Sequence, residues 1–324
     1  MNDIHPGDSV LNAVLLAVGA AYTGPRKRTE EHLEAFLRPK YKALERRKDE
    51  SASAYLARLQ TAFTGARWAL LKRRIASDFT SANEIATEII NQSLPEAFAA
   101  GLNESAYSMA ISGAEAWPIT LSVVSALISA KVIVLNKRTL KKGKDTKYNE
   151  QRLQSAISSV MAQNADIEDM PKRISEHMAR ARQSEMFSFA RVSVYSASDE
   201  GAYYAGIEAE KSGLDIEKTW LAIMDMRVRP SHKHLHGTTI PLREKFHGYY
   251  GVLRFPHDPE APPAEIYRCR CRMAVHIAGK SPGEYSRKIL PTQTSAYKKW
   301  RDSQIRKAGG EVELTKLHKR RIRG

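Results

Sequence analysis

Two stretches near the C-terminal end of the chain alternate apolar and polar residues with period two, and a loop rich in proline and glycine separates them. In the first, Trp220, Ala222, Met224, Met226 and Val228 share one parity, while Leu221, Ile223, Asp225, Arg227 and Arg229 share the other. In the second, Cys269, Cys271, Met273, Val275 and Ile277 alternate with Arg268, Arg270, Arg272, Ala274 and His276. A strand sends successive side chains to opposite faces, whereas a helix would scatter each set around its axis. The pattern therefore predicts two half-buried strands, with both thiols pointing into a core and the arginines on the other face. Pro230, Pro241, Pro256, Pro259, Pro262, Pro263, Gly237, Gly248 and Gly251 fill the connection and set turns. Both strands are expected in one small sheet, with Asp225 within reach of Arg270 or Arg272.

The two cysteines are the whole thiol content of the chain. Separated by one residue, they cannot form the disulfide framework of a secreted domain, and a bridge between them would be strained. This reads as a chain made in a reducing cytoplasm. The 324 residues are enough for two domains, and a hydrophobic content of 42% permits a real core. The net charge of +15 points to a polyanionic partner. The apolar run Val10 to Ala21 is too short to span a bilayer and has no positively charged segment before it. The run Trp117 to Leu135 is interrupted by Pro118 and Lys131 and reads as a buried helix.

Upstream of the alternating pair the chain reads as helical. Residues 26–74 place Tyr41, Leu44, Tyr55, Leu59, Phe63 and Leu70 at helix-like spacings, and Thr29 with Glu31 and Glu34 suggests a helix start. Further helices are predicted over 82–93, 103–116, 119–136, 149–164 and 171–195, with Pro95, Gly101 and 113–118 as breaks. A basic connector, Lys137 to Lys147, is taken as a domain boundary. Ile174, Met178, Ala181, Phe189 and Val192 form an apolar stripe. Glu185 falls on it, either reaching solvent from the helix edge or buried against an arginine of the alternating pair. The predicted fold class is α+β: a helical docking domain (1–145), a small α+β cassette with a short antiparallel sheet (146–280), and a basic, partly flexible tail (281–324).

The tail holds 12 Lys and Arg against 4 acidic residues. As structure it reads as a solvated terminus. As function, Lys316, Lys319, Arg320, Arg321 and Arg323 could neutralise phosphates without reading bases. Tyr297 and Trp300 are either base-stacking platforms or packing anchors. Segment 26–74 carries a similar surplus, 14 basic against 6 acidic, which reads as a solvated helix face or a second DNA contact.

The cassette resembles the phage Mu protein F-like family of minor head (head morphogenesis) proteins. That resemblance rests on Trp220, Asp225, Arg227, His232, Leu235 and Gly237, followed after the proline-containing loop by Cys269, Arg270 and Cys271. The family's upstream Arg-Thr-Glu helix has its nearest match in Arg182-Gln183-Ser184-Glu185. The Asn that usually precedes Cys-Arg-Cys is Arg268 here. The resemblance covers roughly residues 165–278. It implies a virion protein of a tailed phage or prophage, made in the host cytoplasm and built into the head beside the portal in several copies. It also implies contacts with portal, scaffold or major capsid protein and with double-stranded DNA irrespective of sequence. Two rivals stand beside this expectation: an ejected membrane-active protein, and a toxin or enzyme targeted to the head. Only 46 residues follow Ala278, too few for a typical catalytic domain.

Three residues of the cassette, His232, Cys269 and Cys271, have the chemistry of a structural zinc site. The competing reading treats the cysteines as small buried hydrophobes, because Cys-x-Cys is a weaker chelating pattern than Cys-x-x-Cys. A Cys269 nucleophile with His232 as base is a further reading, against which the flanking arginines are expected on the opposite face, where they would not lower the thiol pKa. Gly-rich phosphate loops, His-Glu-x-x-His and Gly-x-Ser-x-Gly are absent from the sequence. The expectation is a protein that acts by contact, with no catalytic residues and no cofactor other than that zinc.

Overall fold

The computed structural model describes residues 5–163, 165–280 and 290–323. Its elements run α1 (Asp8–Ala21), α2 (Thr23–Leu37), α3 (Tyr41–Leu44), α4 (Ala52–Ala62), α5 (Gly65–Ile111), α6 (Leu121–Ser129), α7 (Lys142–Ala162) and α8 (Met170–Glu210). They continue with β1 (Ile216–Leu221), α9 (Pro230–Leu235), β2 (Thr239–Pro241), β3 (Phe246–His247), β4 (Val252–Leu253), α10 (Pro263–Ile266), β5 (Arg272–Ile277), α11 (Ser295–Ala308) and α12 (Glu311–Arg323). The fold is α+β and mostly helical. One antiparallel sheet has the order β2-β1-β5, and β3 with β4 forms a two-stranded pair.

The helices are longer than their punctuation predicts. Pro95 and Gly101 do not divide α5, which runs unbroken through both. A mid-helix proline removes a hydrogen bond and costs about 3 kcal/mol. Here Ile90, Leu94, Ala97, Phe98 and Leu102 are all buried on either side of it. At about 1.5–3 kcal/mol for each large apolar side chain, their burial outweighs that cost. Helix α2 begins at Thr23, so Thr29 lies buried inside it rather than at its start. Helix α7 begins inside the basic connector, and α8 continues fifteen residues beyond the predicted 195. The predicted 119–136 helix shortens to α6, capped by the Thr120 hydroxyl accepting from the Val123 N–H. Of the apolar residues singled out in 26–74, Leu44, Tyr55, Leu59 and Phe63 are buried, whereas Leu70 is exposed. Among the described residues no helix is long and apolar enough to cross a membrane.

The chain divides into two compact units, each assembled from stretches distant in sequence. One unit comprises Leu15–Ile89 and Arg138–Phe187. Its interior carries a polar network on Asp145, which accepts from Asn83 (2.7 Å), Asn149 (3.0 Å) and Arg182 (2.8 Å). Arg182 also pairs with Glu185, and Glu185 with Arg152 at 2.5 Å. Glu185 is therefore satisfied by these two arginines. The cassette arginine expected to bind it has no part in that pairing.

The other unit comprises Met1–Val14, Ile90–Lys137 and Ser188–Gly324 and contains both sheets. Here α5 and α8 touch backbone to backbone. A Cβ at Gly101 would lie 1.8 Å from the Ser198 carbonyl oxygen, and one at Gly201 would lie 2.1 Å from that of Phe98. The sheet packs on α8 in the same way: a Cβ at Gly206 would meet Leu242 and Val275 side chains within 3.0 Å.

The tail forms two packed helices where it is described; residues 281–289 lie outside the described residues. The Thr294 hydroxyl caps α11 by accepting from the Tyr297 N–H, and Gly309 ends the helix in the left-handed conformation (φ 86°). Tyr297 meets Tyr107 edge-on at 5.3 Å and Trp300 packs tilted against it at 5.1 Å, which makes them packing anchors. In α12, Leu314 and His318 are buried one turn apart. The His318 Nδ1 meets the Glu208 carboxylate, and its Nε2 meets the Pro118 carbonyl at 3.0 Å. Two acceptors require two N–H donors, so the ring is an imidazolium. Burial works against that charge, but Glu208 outweighs it and raises the His318 pKa. The described tail is thus an ordered part of its unit, because α12 has a buried stripe that composition alone concealed.

Substituting Gly101→Ala or Gly201→Ala is expected to destabilise the protein by about 3 kcal/mol, since backbone cannot yield as a side chain would. Urea denaturation followed by circular dichroism measures this, and a loss below about 0.5 kcal/mol would contradict the helix contact.

Candidate functional site: the buried His-Cys-Cys centre of the cassette

The cassette is built on the pairing of β1 with β5, in register Trp220↔Met273, Thr219↔Ala274 and Lys218↔Val275. The sheet and the inward thiols match the sequence expectation, but the first strand lies mostly upstream of the expected stretch and the second is shorter than expected. The first strand is Ile216–Leu221 and ends one residue past Trp220, so the alternation from Ala222 to Arg229 belongs to a turn. The second begins at Arg272, just after the cysteines. Cys269 and Cys271 are both buried and unbridged.

Each signature residue has a structural task. Trp220 is fully buried and meets the His232 and Phe246 rings edge-on, both at 5.2 Å. It shares a core cluster with Leu235, Leu253, Cys269 and Cys271. Asp225 shapes the turn: its Oδ1 accepts from the Arg227 N–H at 2.9 Å and from the Arg270 guanidinium at 2.7 Å. These two donors hold its carboxyl down at about 2, well below the usual range. Gly237 has φ 79°, a conformation that suits glycine, and there its N–H reaches the Trp220 carbonyl at 2.8 Å. The Arg227 side chain is exposed and lines the cavity described below.

Short helix α9 presents His232 to the thiols. Its Nδ1 lies 3.4 Å from the Sγ of Cys269 and 3.4 Å from that of Cys271. The Cys271 N–H points at the Cys269 sulfur at 3.3 Å. Behind the ring, Nε2 donates to Glu265 Oε2 at 2.9 Å. Glu265, fully buried on α10, also accepts from the Ser231 hydroxyl (3.0 Å) and the Tyr250 N–H (2.9 Å). Burial pushes the Glu265 pKa upward, but these donors prevail and keep it a carboxylate. Burial likewise disfavours a charged His232, and the Cys269 sulfur and Glu265 outweigh it and raise the histidine pKa. The Cys269 thiol is pushed up to about 11, chiefly by burial. His232, Cys269 and Cys271 offer three potential metal ligands, all within 4.8 Å of one another.

A second buried cluster braces the first. His257 donates through Nδ1 to Asp199 and through Nε2 to the Cys269 carbonyl, both at 3.0 Å. Because both partners are acceptors, His257 is an imidazolium. Burial opposes that charge, yet Cys269 and Asp199 together raise its pKa to about 10. His5 approaches the other Asp199 oxygen at 3.5 Å and stacks on Tyr195. None of Glu265, Ser231, His257, Asp199 or His5 was visible as a site residue in the sequence. They come from five separate segments, and no spacing rule links them.

The thiols border a cavity of about 210 Å³ whose lining includes Arg227, Arg229, Arg268 and Arg270. The arginines thus share a cavity with the sulfurs rather than occupying an opposite face. Alternation does not apply, because 268–271 is not strand. Arg268 has φ 56°. Asn is the non-glycine residue best suited to that conformation, which explains the resembling family's Asn at this position.

The comparisons with known proteins agree with this geometry. Residues 151–274 match the family described as phage Mu protein F like protein. The chain carries a phage Mu protein F-like region. No curated protein and no solved structure matches. The matched stretch contains the whole Trp220-to-Cys271 signature and the Arg182–Glu185 pair.

Replacing Arg268 by Asn is expected to stabilise the protein by about 1 kcal/mol through relief of left-handed strain. A lowered or unchanged denaturation midpoint would contradict this.

A second expectation concerns His257. Its folded pKa, about 10, exceeds the unfolded value, so its stabilisation is complete below about pH 6.5 and is lost as pH rises towards 10. Lys218, lowered to about 8 chiefly by burial, contributes a trend of opposite sign. The difference between the native chain and a His257→Gln variant isolates the histidine. Their stability gap should narrow between pH 7 and pH 10; a constant gap would contradict the buried ion pair.

Proposed function

We infer that this chain is a minor head protein of a tailed phage or prophage, portal-associated inside the capsid, and that it aids genome packaging or delivery by contact rather than by catalysis. The observation that carries the reading is the match over 151–274 to the phage Mu protein F like family, coincident with a cassette in which the signature residues Trp220, Leu235, Cys269 and Cys271 share one compact core. Portal, scaffold or major capsid protein are the protein partners, with several copies per virion. The exposed helix surfaces of the N-terminal part supply the docking faces.

DNA contact is the second part of the proposal, supported by the net charge of +15. The tail contributes through fewer residues than its composition suggests. Lys316 pairs with Glu313 at 2.6 Å, Arg321 with Glu115 at 3.1 Å, and Arg323 donates to the Ala130 carbonyl at 2.7 Å. Arg320 is exposed and Lys319 half-buried, and these two are the residues of α12 placed to meet phosphates.

The membrane-active alternative relied on Val10 to Ala21 and Trp117 to Leu135. The first lies in α1, with Val10, Leu11, Val14 and Val18 buried, and the second contains only the nine-residue α6.

Two measurements test the proposal together. Co-expressed with its portal protein, the chain should co-purify with portal rings. The affinity of the purified chain for duplex DNA should fall steeply with salt and be indifferent to sequence. A Lys319→Gln, Arg320→Gln variant should lower the salt slope by about 2. Absence from portal rings overturns the docking role, and an unchanged slope overturns the tail's role in DNA contact.

A further inference from the structure

The His232, Cys269 and Cys271 constellation has features that a set of small buried hydrophobes does not require. Its three donor atoms converge instead of packing past one another. With zinc bonds of about 2.3 Å to sulfur and about 2.05 Å to nitrogen, tetrahedral geometry sets sulfur and nitrogen about 3.6 Å apart. Both Sγ-to-Nδ1 separations are 3.4 Å. The ring is also turned for this use. Glu265 accepts from Nε2, so in the neutral tautomer the Nδ1 lone pair faces the two sulfurs. A carboxylate behind a ligating histidine is the usual orienting partner at metal centres. The Cys271 N–H directed at the Cys269 sulfur is a donor suited to a thiolate. The Cys269 carbonyl is held by His257 from the other side, and the residue before it is kept in left-handed backbone.

We propose that His232 Nδ1, Cys269 Sγ and Cys271 Sγ bind one Zn²⁺ ion, whose fourth coordination position opens into the arginine-lined cavity and takes water or an anionic oxygen. Two soft thiolates and one imidazole select zinc over hard cations such as magnesium and calcium. Each thiol releases its proton to solvent on binding, so Zn²⁺ with two thiolates and a neutral imidazole has no net charge. The four arginines around the cavity then favour an anion over a neutral ligand at the open position. Here Arg270 is already committed to Asp225, and Arg229 donates to the Glu265 carbonyl at 2.9 Å. A neutral carbonyl leaves the charge of Arg229 in place, so Arg227, Arg229 and Arg268 carry the remaining positive charge around the cavity, and Arg227 and Arg268 are exposed.

The test uses the full chain, purified without chelator and without a polyhistidine tag from cells supplied with zinc. Elemental analysis should find about one zinc per chain, the number one tetrahedral site holds. Cys269→Ser and Cys271→Ser should each lower that content at least about tenfold. Because such variants risk losing the fold, the native chain is also stripped and reloaded with Co²⁺. Thiolate-to-cobalt charge transfer and a tetrahedral visible spectrum are expected. Adding azide or inorganic phosphate should then shift that spectrum. A folded chain that carries no zinc and gives no such cobalt spectrum overturns the site. Stoichiometric copper or iron in place of zinc overturns the metal assignment. A spectrum insensitive to both anions overturns the open fourth position. None of these results bears on portal or DNA contact, so this inference can fail independently of the virion role.

Discussion

A single buried carboxylate holds the cassette together. Glu265 is fully removed from solvent and gathers three donors from two directions: Ser231 and His232 on α9, and the Tyr250 backbone in the loop. Arg229 adds a fourth bond, to the Glu265 carbonyl. An unpaired carboxylate at that depth would be untenable, so each donor must be in place before the site can close. Glycine at 248 is part of the same requirement, since a Cβ there would lie 2.5 Å from Glu265 Oε1. The long loop is therefore ordered by charge satisfaction as much as by apolar burial. Trp220 and Phe246 close the apolar side, and Glu265 closes the polar one.

The sheet and the Asp225–Arg270 pair were legible in the sequence because they rest on local alternation and on opposite charges near a turn; the thiols are buried as expected, but in a segment that is not strand. The strand positions were not legible. Alternation persists past Leu221, but Asp225 and its two donors turn the chain there, and a turn can mimic period two over a few residues. Helix lengths were misread for a different reason. Proline and glycine report local cost, whereas tertiary burial decides whether that cost is borne, and α5 buries apolar residues on both sides of Pro95. Glu185 has two readings in the sequence, a helix edge in solvent or a carboxylate against a cassette arginine; it is half-buried and pairs with Arg152 and Arg182 instead. Arg152 lies on α7, a neighbour that no spacing along α8 reveals.

Buried imidazolium ions recur in the unit that contains the cassette. His257 joins Asp199 to the Cys269 carbonyl, and His318 joins Glu208 to the Pro118 carbonyl. Each ring ties a carboxylate on α8 to a distant backbone carbonyl, and each works only with both nitrogens protonated. The first fixes the loop beside the thiols, and the second fixes α12. Two distant chain segments are thus fastened to one long helix by the same chemistry. The tail reads from composition as a solvated terminus, yet His318 anchors it.

The same helix explains why Asp199, Glu208 and the glycines at 201 and 206 lie so near one another. Glycine lets α5 approach α8 at backbone distance and lets the Leu242 and Val275 side chains pack onto it, and Asp199 and Glu208 of that helix are buried. In water-poor surroundings a carboxylate must find its donors within the protein, and the strength of such pairs rises as the local dielectric falls. Close packing and buried ion pairs are therefore one arrangement. Asp199, two residues from Gly201 on the same helix, holds His257, and His257 in turn holds the Cys269 backbone beside His232. Changes at the helix contact should for that reason be felt at the thiols, although no glycine of α8 belongs to the His-Cys-Cys centre.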